Sequence, residues 1–380
     1  MPQQPEVRAR PPYGKVSASL PEFPWDTLAD AKAVAAAHPG GIVDLSVGTP
    51  VDPVAPVIRE ALAAAGSAPG YPATAGTQRL RESAAAALAR RFGITGVAEA
   101  AVLPVIGSKE LIAWLPTLLG LGAADVVVVP ELAYPTYDVG ARLAAAQVLR
   151  ADSLTQVGPR SPALFYLNSP SNPTGRVLGV EHLRKVVGWA RDRRRQQNVI
   201  VASDECYLGL GWEAQPLSVL HPSVCDGDHT GLLAIHSLSK TSSLAGYRAG
   251  FVAGDAALVA ELLAVRKHAG MMVPTPVQAA MVAALDDDAH EQLQRTRYER
   301  RRAALLPALR AAGFAVDHSE AGLYLWATRD EPCQDSVAWL ATRGVLVAPG
   351  EFYGPGGARH VRVALTATDE RIAAAVQRLS

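Results

Sequence analysis

Six lysines are the side chains of this sequence that can offer an amine nucleophile. The 380 residues include 36 lysines and arginines, and counting letters leaves 30 arginines beside the six lysines. Arginine keeps its proton at working pH, so covalent chemistry through an amine must use a lysine. Lys240 is the best candidate, because it follows an apolar run and has hydroxyl neighbours in Ser237-Leu238-Ser239-Lys240-Thr241.

Other polar side chains follow apolar runs in the same way. Ser108 and Lys109 follow one run and open a helix, whose free backbone amides suit a phosphate. Tyr134 follows a second run and offers an aromatic face. Asp204 and Tyr207 follow a third and place a carboxylate and a phenol three residues apart. Each segment alone also fits an ordinary cap, turn or buried acid, so the interpretation depends on their joint occurrence.

A polar loop and an arginine complete this set. Asn168 and Asn172 place two amides in a proline-rich turn, and Arg248 comes eight residues after Lys240. In open α/β sheets, ligands bind at the carboxyl ends of the strands. The sequence therefore predicts that these segments converge on one site.

Short β-branched runs alternate with helical stretches between about residues 100 and 255, which predicts a mostly parallel sheet covered on both faces. The predicted strands are 101–106, 125–129, 163–167, 199–203, 232–236 and 250–253. Later runs predict a smaller α+β domain, with strands at 314–317, 323–327, 345–348 and 360–365.

We therefore predict an α/β protein with two domains. Residues 46–275 form the large domain and 276–380 the small C-terminal one, while 1–45 form an arm and helix that join the small domain. Two prolines near residue 275 precede a long helical region rich in alanine and arginine, and we place the domain boundary there.

Charge and composition exclude several classes of partner. The 36 basic and 36 acidic residues give a formal net charge of zero, so nucleic acid is not expected as a partner. No apolar stretch approaches the roughly 20 residues of a membrane span, and the N-terminus lacks a signal-peptide core. We predict a cytoplasmic protein with no membrane partner, no metal site and three reduced cysteines.

Together these segments describe a site for pyridoxal 5′-phosphate, which needs a lysine for covalent attachment and an acid beside its ring nitrogen. Lys240 would hold the cofactor and later move the substrate proton, while Asp204 would keep the ring nitrogen protonated. Tyr207 and Asn172 would bind the ring's 3′-oxygen, and Tyr134 would stack on the ring. The phosphate would be held by Ser108, the amide of Lys109, Ser237, Ser239 and Arg248.

The motifs and their order resemble the class I/II aminotransferases, which are fold-type I pyridoxal-phosphate enzymes. The motifs that carry the resemblance are Asn168…Asn172-Pro173-Thr174-Gly175, Ser203-Asp204-Glu205-x-Tyr207, Ser237-x-Ser239-Lys240 and Gly246-x-Arg248-x-Gly250. The resemblance implies a large domain with a mostly parallel seven-stranded sheet and a smaller α+β domain. It also implies amino transfer between amino and 2-oxo acids.

Three further assignments follow from the resemblance alone. Arg362 matches the family's C-terminal arginine that pairs with the substrate α-carboxylate, with Arg359 as the weaker alternative. Gly48 matches a glycine that lies near that carboxylate. Tyr71, in a Gly-Tyr-Pro-x-x-x-Gly pattern, matches a tyrosine that reaches the partner subunit's cofactor phosphate, which implies a homodimer with shared active sites.

The sequence leaves more alternatives for the substrate and the reaction than for the cofactor and the fold. Segments near residues 19–26 and 346–354 are similar to those of N-succinyl-L,L-diaminopimelate aminotransferases, which implies a lysine-biosynthesis substrate with glutamate and 2-oxoglutarate as the second pair. Aspartate, aromatic and alanine specificities remain alternatives, with Arg266, Lys267 and the N-terminal Arg/Ser segment as candidates for binding a distal carboxylate. A C–S β-lyase would share the same core residues. A ligand-sensing regulator would need a DNA-binding module, for which we expect no room before Pro50.

Overall fold

A computed structural model describes residues 16–194 and 198–380. Its strands are β1 (Val43–Asp44), β2 (Val102–Ile106), β3 (Val126–Val129), β4 (Gln147–Arg150), β5 (Leu164–Asn168), β6 (Ile200–Asp204), β7 (Leu232–Ser237), β8 (Ala249–Gly254), β9 (Ala315–Asp317), β10 (Tyr324–Thr328), β11 (Val345–Leu346), β12 (Ala348–Pro349) and β13 (Val361–Ala364).

Helices cover most of the chain between these strands. They are α1 (Ala29–Ala36), α2 (Pro56–Ala64), α3 (Gln78–Phe92), α4 (Ser108–Leu118), α5 (Thr136–Leu143), α6 (Leu154–Val157), α7 (Val180–Arg194), α8 (Pro222–Cys225), α9 (Leu238–Thr241), α10 (Ala256–Ala269), α11 (Thr275–Asp286), α12 (Asp288–Ala311), α13 (Cys333–Thr342) and α14 (Asp369–Leu379).

A seven-stranded sheet with the order β2-β8-β7-β6-β5-β3-β4 forms the centre of the fold. The neighbouring pairs from β7 through β6, β5 and β3 to β4 are parallel, whereas β8 runs antiparallel to both β2 and β7. Asn168 and Asp204 are register partners at the ends of β5 and β6. The predicted α/β fold with a mostly parallel seven-stranded sheet is confirmed.

Helices cover both faces of this sheet, as the nearly unbroken apolar strands require. One face packs against α3, α7 and α11 through residues such as Leu88 and Val187. The opposite face packs against α4, α5 and α10 through residues such as Leu115 and Tyr137. Both layers leave the carboxyl ends of the parallel strands free to carry polar loops.

A second hydrophobic core lies in the C-terminal part of the chain. Its antiparallel sheet has the order β12-β13-β10-β9, and β1 pairs in parallel with β11 beside it. Helix α1 packs on α13 and α12 packs on α14. Helix α1 and strand β1 therefore pack with C-terminal elements, whereas residues 1–15 of the predicted arm lie outside the described residues.

Packing places α11 with the large sheet rather than with the second core. Its buried residues Ala280, Met281 and Ala284 belong to the cluster that covers the sheet, and α11 contacts α2 and α3. The following helix α12 contributes Tyr298 and Leu305 to the second core. We therefore propose that the domain boundary lies after α11 rather than at residue 275.

The observed strands differ from the expected ones at three places. The two-residue strand β1 (Val43–Asp44) was not predicted. The edge strand β4 was not predicted, because Gln147 and Arg150 make it partly polar. The run 345–348 forms two short strands, β11 and β12, which belong to different sheets. Within the described ranges, none of the helices is long and apolar enough to span a membrane.

Candidate active site

A cleft of about 270 Å³ lies at the carboxyl edge of the large sheet. Strands β5, β6 and β7 end there with Asn168, Asp204 and Ser237, and β2 leads there into the N-terminus of α4. The second core closes the other side with residues of β10 and β13. Twelve predicted site residues line this cleft: Gly48, Ser108, Lys109, Tyr134, Asn172, Asp204, Tyr207, Ser237, Ser239, Lys240, Arg248 and Arg362.

Lys240 lies on the single turn α9, immediately after β7. Its Nζ reaches across the cleft and donates a hydrogen bond to the carbonyl oxygen of Gly48. Burial is the main reason that the pKa of this amine falls to about 8; the guanidinium groups of Arg362 and Arg248 act in the same direction, while Cys206 opposes the shift. A fraction of the amine is therefore unprotonated near neutral pH, as a nucleophile requires.

Asp204 is a buried carboxylate held by two hydrogen bonds. Its Oδ2 accepts from the hydroxyl of Tyr137 at 2.7 Å, and its Oδ1 accepts from the backbone amide of Cys206 at 3.2 Å. Burial raises the pKa of Asp204, although both hydrogen bonds oppose that shift. A cationic ring nitrogen beside it would stabilise the carboxylate form. Tyr137 was not predicted as its partner, although the sequence places it only three residues after Tyr134.

One end of the cleft has the features of a phosphate cradle. The N-terminal amides of α4 open into it at Ser108, and Ser239 and Arg248 line it. The Arg248 Nη1 donates to the carbonyl oxygen of Ala245 at 2.9 Å, which fixes the guanidinium. Ser237 Oγ already accepts from the amide of Ser239 at 3.1 Å, so its hydroxyl proton is the part left for a ligand.

Gly107 lies in close contact with the Arg248 side chain in this cradle. Its φ is +83°, and an added Cβ would lie far inside van der Waals distance of Nη2 of Arg248. Any side chain at this position would therefore displace the guanidinium. The close approach of backbone and Arg248 fits an anion held jointly by α4 and the arginine. Together with Lys240 and Asp204, the cradle matches the three chemical ends of pyridoxal phosphate.

Gly107→Ala is expected to weaken cofactor binding about tenfold or more, because the displaced Arg248 would no longer be placed to bind the cofactor phosphate. Titration of the cofactor-free protein with pyridoxal phosphate, followed by absorbance, measures this change. Gly120→Ala is the matched control, since its φ is also positive at +71° but nothing lies within 4 Å of an added Cβ. Equal affinity loss in both variants would contradict the role of Arg248 and indicate backbone strain instead.

Asn172 and Tyr207 face the cleft but have protein partners of their own. Asn172 Oδ1 accepts a hydrogen bond from Arg362 at 2.8 Å, and the hydroxyls of Tyr207 and Tyr324 lie 3.1 Å apart. An added Cβ at Gly48 would overlap the Tyr324 hydroxyl, so a glycine is needed there. Tyr324 was not predicted as a site residue.

Arg362 is a buried cation on β13 with only 1% of its surface exposed. Its Nη1 and Nη2 donate to Asn172 Oδ1 and to the carbonyl oxygen of Ser46, at 2.8 and 2.7 Å. Its guanidinium carbon lies 3.9 Å from the ring centroid of Tyr324. Among the described residues no carboxylate forms an ion pair with it, so a substrate carboxylate would supply the missing counter-charge.

The Lys109 side chain lies at the mouth of the cleft, where only its backbone amide had been assigned a role. Its Nζ is 5.4 Å from the ring centroid of Phe23 and 5.6 Å from that of Tyr134. Trp25 lies beside Tyr134, with ring centroids 6.2 Å apart. No motif or spacing indicated this grouping, because Phe23 and Trp25 are distant in the chain from Lys109.

The residues that the sequence offered for binding a distal carboxylate are placed less favourably for this role than Lys109. Arg266 is buried in a bidentate ion pair with Glu110, at 2.9 and 3.1 Å. Lys267 is exposed in the last turn of α10 and does not line the cleft. The earliest part of the N-terminal Arg/Ser segment, 1–15, lies outside the described residues.

Tyr71 does not line the cleft of its own chain. Its side chain is 97% exposed, next to Gly70 in the segment between α2 and α3. This position leaves the expected role in a partner subunit's site as a prediction.

Comparison with known proteins identifies related enzymes over almost the whole chain. The family model of class I and II aminotransferases matches residues 41–379. A probable aminotransferase of Mycobacterium tuberculosis is 82% identical over 98% of this chain and 88% of its own length. The 4-dedimethylamino-4-oxo-anhydrotetracycline transaminase OxyQ of Streptomyces rimosus is 59% identical over 95% of this chain and 99% of its own.

A solved structure is also similar to this protein over almost the whole chain. The probable N-succinyldiaminopimelate aminotransferase of Thermus thermophilus superposes with a TM-score of 0.83 and 28% identity, covering 94% of this chain and 99% of the other. Sequence family, fold and the site at the sheet edge therefore agree. This chain belongs to the class I and II aminotransferases, which are pyridoxal-phosphate-dependent enzymes.

Proposed function

We propose that this aminotransferase acts on amino acids that carry a second carboxylate, with glutamate and 2-oxoglutarate as one pair. The observation that carries this proposal is the presence of two cations, Arg362 and Lys109, on one cleft. Neither forms an ion pair within the described part of the chain. Arg362 would bind the α-carboxylate at the buried end, and Lys109 would attract a distal carboxylate at the mouth.

Each of the protein's own residues near the cofactor would have a distinct role. Bound pyridoxal phosphate would supply an electron sink for the bond to the substrate α-carbon. Lys240 would hold the cofactor and then carry the proton to and from the α-carbon with its freed Nζ. Asp204 would balance the charge of the ring nitrogen, and Tyr207 and Asn172 would bind the ring oxygen.

N-succinyl-L,L-2,6-diaminopimelate is our specific proposal for the amino donor. Beyond the reacting amino acid group it carries further carboxylates, which suit a cationic cleft mouth. The structurally similar Thermus thermophilus protein, whose name includes this substrate, supports the proposal. The amino group would pass to 2-oxoglutarate in a ping-pong cycle.

A substrate screen tests this proposal directly. The holoenzyme is mixed with single amino donors, and conversion of the cofactor to its amino form is followed by absorbance. N-succinyldiaminopimelate and glutamate are expected to convert the cofactor faster than alanine or phenylalanine. Faster conversion by either monocarboxylate would refute the dicarboxylate assignment. Release of pyruvate and ammonia from cystathionine would instead support the C–S lyase alternative.

A bulky ring-containing oxo substrate is a second candidate. Two observations favour it: OxyQ, which is 59% identical, is named for an oxo-tetracycline substrate, and aromatic rings surround the cleft mouth at Trp25, Tyr134 and Phe23. Flat ligands stack on such rings. The screen is therefore repeated in reverse, with the amino-form enzyme against polycyclic ketones and 2-oxoglutarate.

Lys109→Ala is expected to raise KM for 2-oxoglutarate about fivefold while leaving KM for pyruvate unchanged, because only the first has a distal carboxylate. Steady-state kinetics with both acceptors measures the difference. Lys267→Ala is the matched control, since it removes an exposed lysine that does not line the cleft. A similar rise for both acceptors in Lys109→Ala would assign the side chain to cofactor binding instead.

We also propose a homodimer in which Tyr71 of each subunit completes the other's cofactor site. The 97% exposure of this tyrosine in the single chain supports a role outside its own subunit. Mixing inactive Lys240→Ala and Tyr71→Ala proteins under conditions of subunit exchange should then restore activity. Each mixed dimer would contain one site with both native residues, whereas no recovery would argue against a shared site.

A further inference from the structure

A second, much smaller cavity of about 30 Å³ lies behind the cofactor cleft. Asp204, the last residue of β6, contacts Tyr137 on α5, whereas Glu205, the next residue, lines a cavity with residues of α3. Glu205 and His236 line this cavity, next in the chain to Asp204 and Ser237 respectively. No step proposed above uses either of them.

The two side chains point at each other without forming a hydrogen bond. Oε2 of Glu205 lies 3.6 Å from Nε2 of His236, and both atoms lack a hydrogen-bond partner among the described residues. The Glu205 side chain is fully buried, and its Oε1 accepts from the backbone amide of Val219 at 2.9 Å. The imidazole lies between the rings of Phe92 and Phe251, at centroid distances of 6.4 and 5.0 Å.

The charges around this pair disfavour an ionised Glu205. Arg91 on α3 also lines the cavity, but Asp288 accepts from it at 2.7 Å and Glu291 on α12 pairs with it. Asp204 adds a further negative charge from the adjacent position on β6. A buried carboxylate without a free cation is costly, and so is a buried imidazolium between two phenyl rings.

The expected titration of both groups agrees with this geometry. Burial raises the pKa of Glu205 to about 7, against the opposing hydrogen bonds from Ser218, the Val219 amide and Ser203, and Asp204 adds to the rise. Burial alone lowers the pKa of His236 to about 3. Both shifts favour the uncharged forms.

We propose that Glu205, as a neutral acid, donates its proton toward Nε2 of neutral His236 and that this pair positions the strand ends that carry Asp204 and Ser237. The cavity volume of about 30 Å³ is enough for one water molecule beside the pair, while a small side-chain adjustment would close the 3.6 Å gap to a direct hydrogen bond. The neutral pair would join the end of β6 to β7 and leave Asp204 as the one carboxylate among the described residues that line the cofactor cleft. This role rests on the proposed use of Asp204 against that ring.

Three variants separate a neutral positioning pair from other roles. Glu205→Gln keeps the shape and a donor, Glu205→Leu removes both, and Glu291→Gln alters the same cavity wall without touching the pair. We measure cofactor dissociation constants, the pH midpoint of the bound cofactor's absorbance, and Tm. Glu205→Gln is expected to leave affinity and midpoint unchanged, and Glu205→Leu to weaken affinity about tenfold. Glu291→Gln is expected to lower only Tm.

Infrared difference spectra give a readout that needs no substrate. The wild-type protein should show the carbonyl band of a protonated carboxyl group at pH 6, and Glu205→Gln should lack it. Absence of this band in the wild type, or a shifted pH midpoint in Glu205→Gln, would show a charged Glu205 and overturn the proposal. A lower Tm with unchanged cofactor affinity in Glu205→Leu would also overturn it, since the residue would then be only structural.

The infrared result stays decisive if Glu205→Leu fails to fold, because Glu205→Gln is nearly isosteric. The infrared result is also independent of the substrate proposal, which is tested separately by the amino-donor screen. If Asp204 did not contact the cofactor ring, the band would persist and Asp204→Asn would bind the cofactor as tightly as the wild type, which separates that failure from a merely structural Glu205.

Discussion

Lys240→Ala is expected to abolish the visible absorbance of bound pyridoxal phosphate and to reduce amino transfer by about 10³-fold or more. The side chain would provide both the covalent attachment and the amine that moves the substrate proton, so both functions should be lost together. Its position on α9, with Nζ inside the cleft and a pKa lowered to about 8, is the structural basis for this expectation. Absorbance spectra and single-turnover assays measure the two losses.

Lys240→Arg is the matched control for charge and size. It keeps a cation in the cleft but cannot attach the cofactor, because arginine does not lose its proton. The same loss in both variants would assign the effect to the missing nucleophile. A normal absorbance spectrum in Lys240→Ala, with circular dichroism showing an intact fold, would disprove the assignment of Lys240.

Arg362→Met is expected to reduce kcat/KM by about 10²-fold or more for every amino acid substrate. The guanidinium is buried and has no carboxylate partner among the described residues, so the substrate would complete a buried ion pair. Removing one member of such a pair costs about 3 kcal/mol or more. Methionine fills similar volume, so the loss reflects charge more than a cavity. Steady-state kinetics with glutamate and alanine measures the effect.

Arg359→Met is the control for this prediction, because Arg359 is the neighbouring arginine that sequence alone left as an alternative. Its side chain is 59% exposed and pairs with Asp330, so its loss should leave kcat/KM unchanged. Arg362→Lys should recover only part of the activity, since lysine cannot reproduce two parallel hydrogen bonds. A larger defect in Arg359→Met would transfer the carboxylate site to that residue.

The central strands show why much of this fold is readable from sequence. Strands such as β5 and β7 are buried along their whole length, so they leave unbroken apolar runs that local inspection finds. Strand β4 lies at the edge of the sheet and is partly exposed. Its pattern therefore carries little local signal, and only pairing with β3 defines it.

The partners of the site residues were harder to foresee than the residues themselves. Tyr137 on α5 donates to Asp204, which is 67 positions away, and Tyr324 on β10 lies against Gly48 and Tyr207. These contacts arise from the packing of separate elements. No spacing in the chain records them, because each residue type has many ordinary structural uses.

The family and the α/β class follow from the order of residues in the chain, and the same order singles out Lys240 among six lysines as the expected nucleophile, because cofactor chemistry demands particular residue types directly after buried strands. The surroundings of those residues follow only from the folded arrangement. There Arg266 pairs with Glu110, Lys109 lies at the cleft mouth and Glu205 lies against His236. Burial, charge pairing and pKa depend on neighbours distant in the chain, and those neighbours meet only when the sheet and both cores have formed.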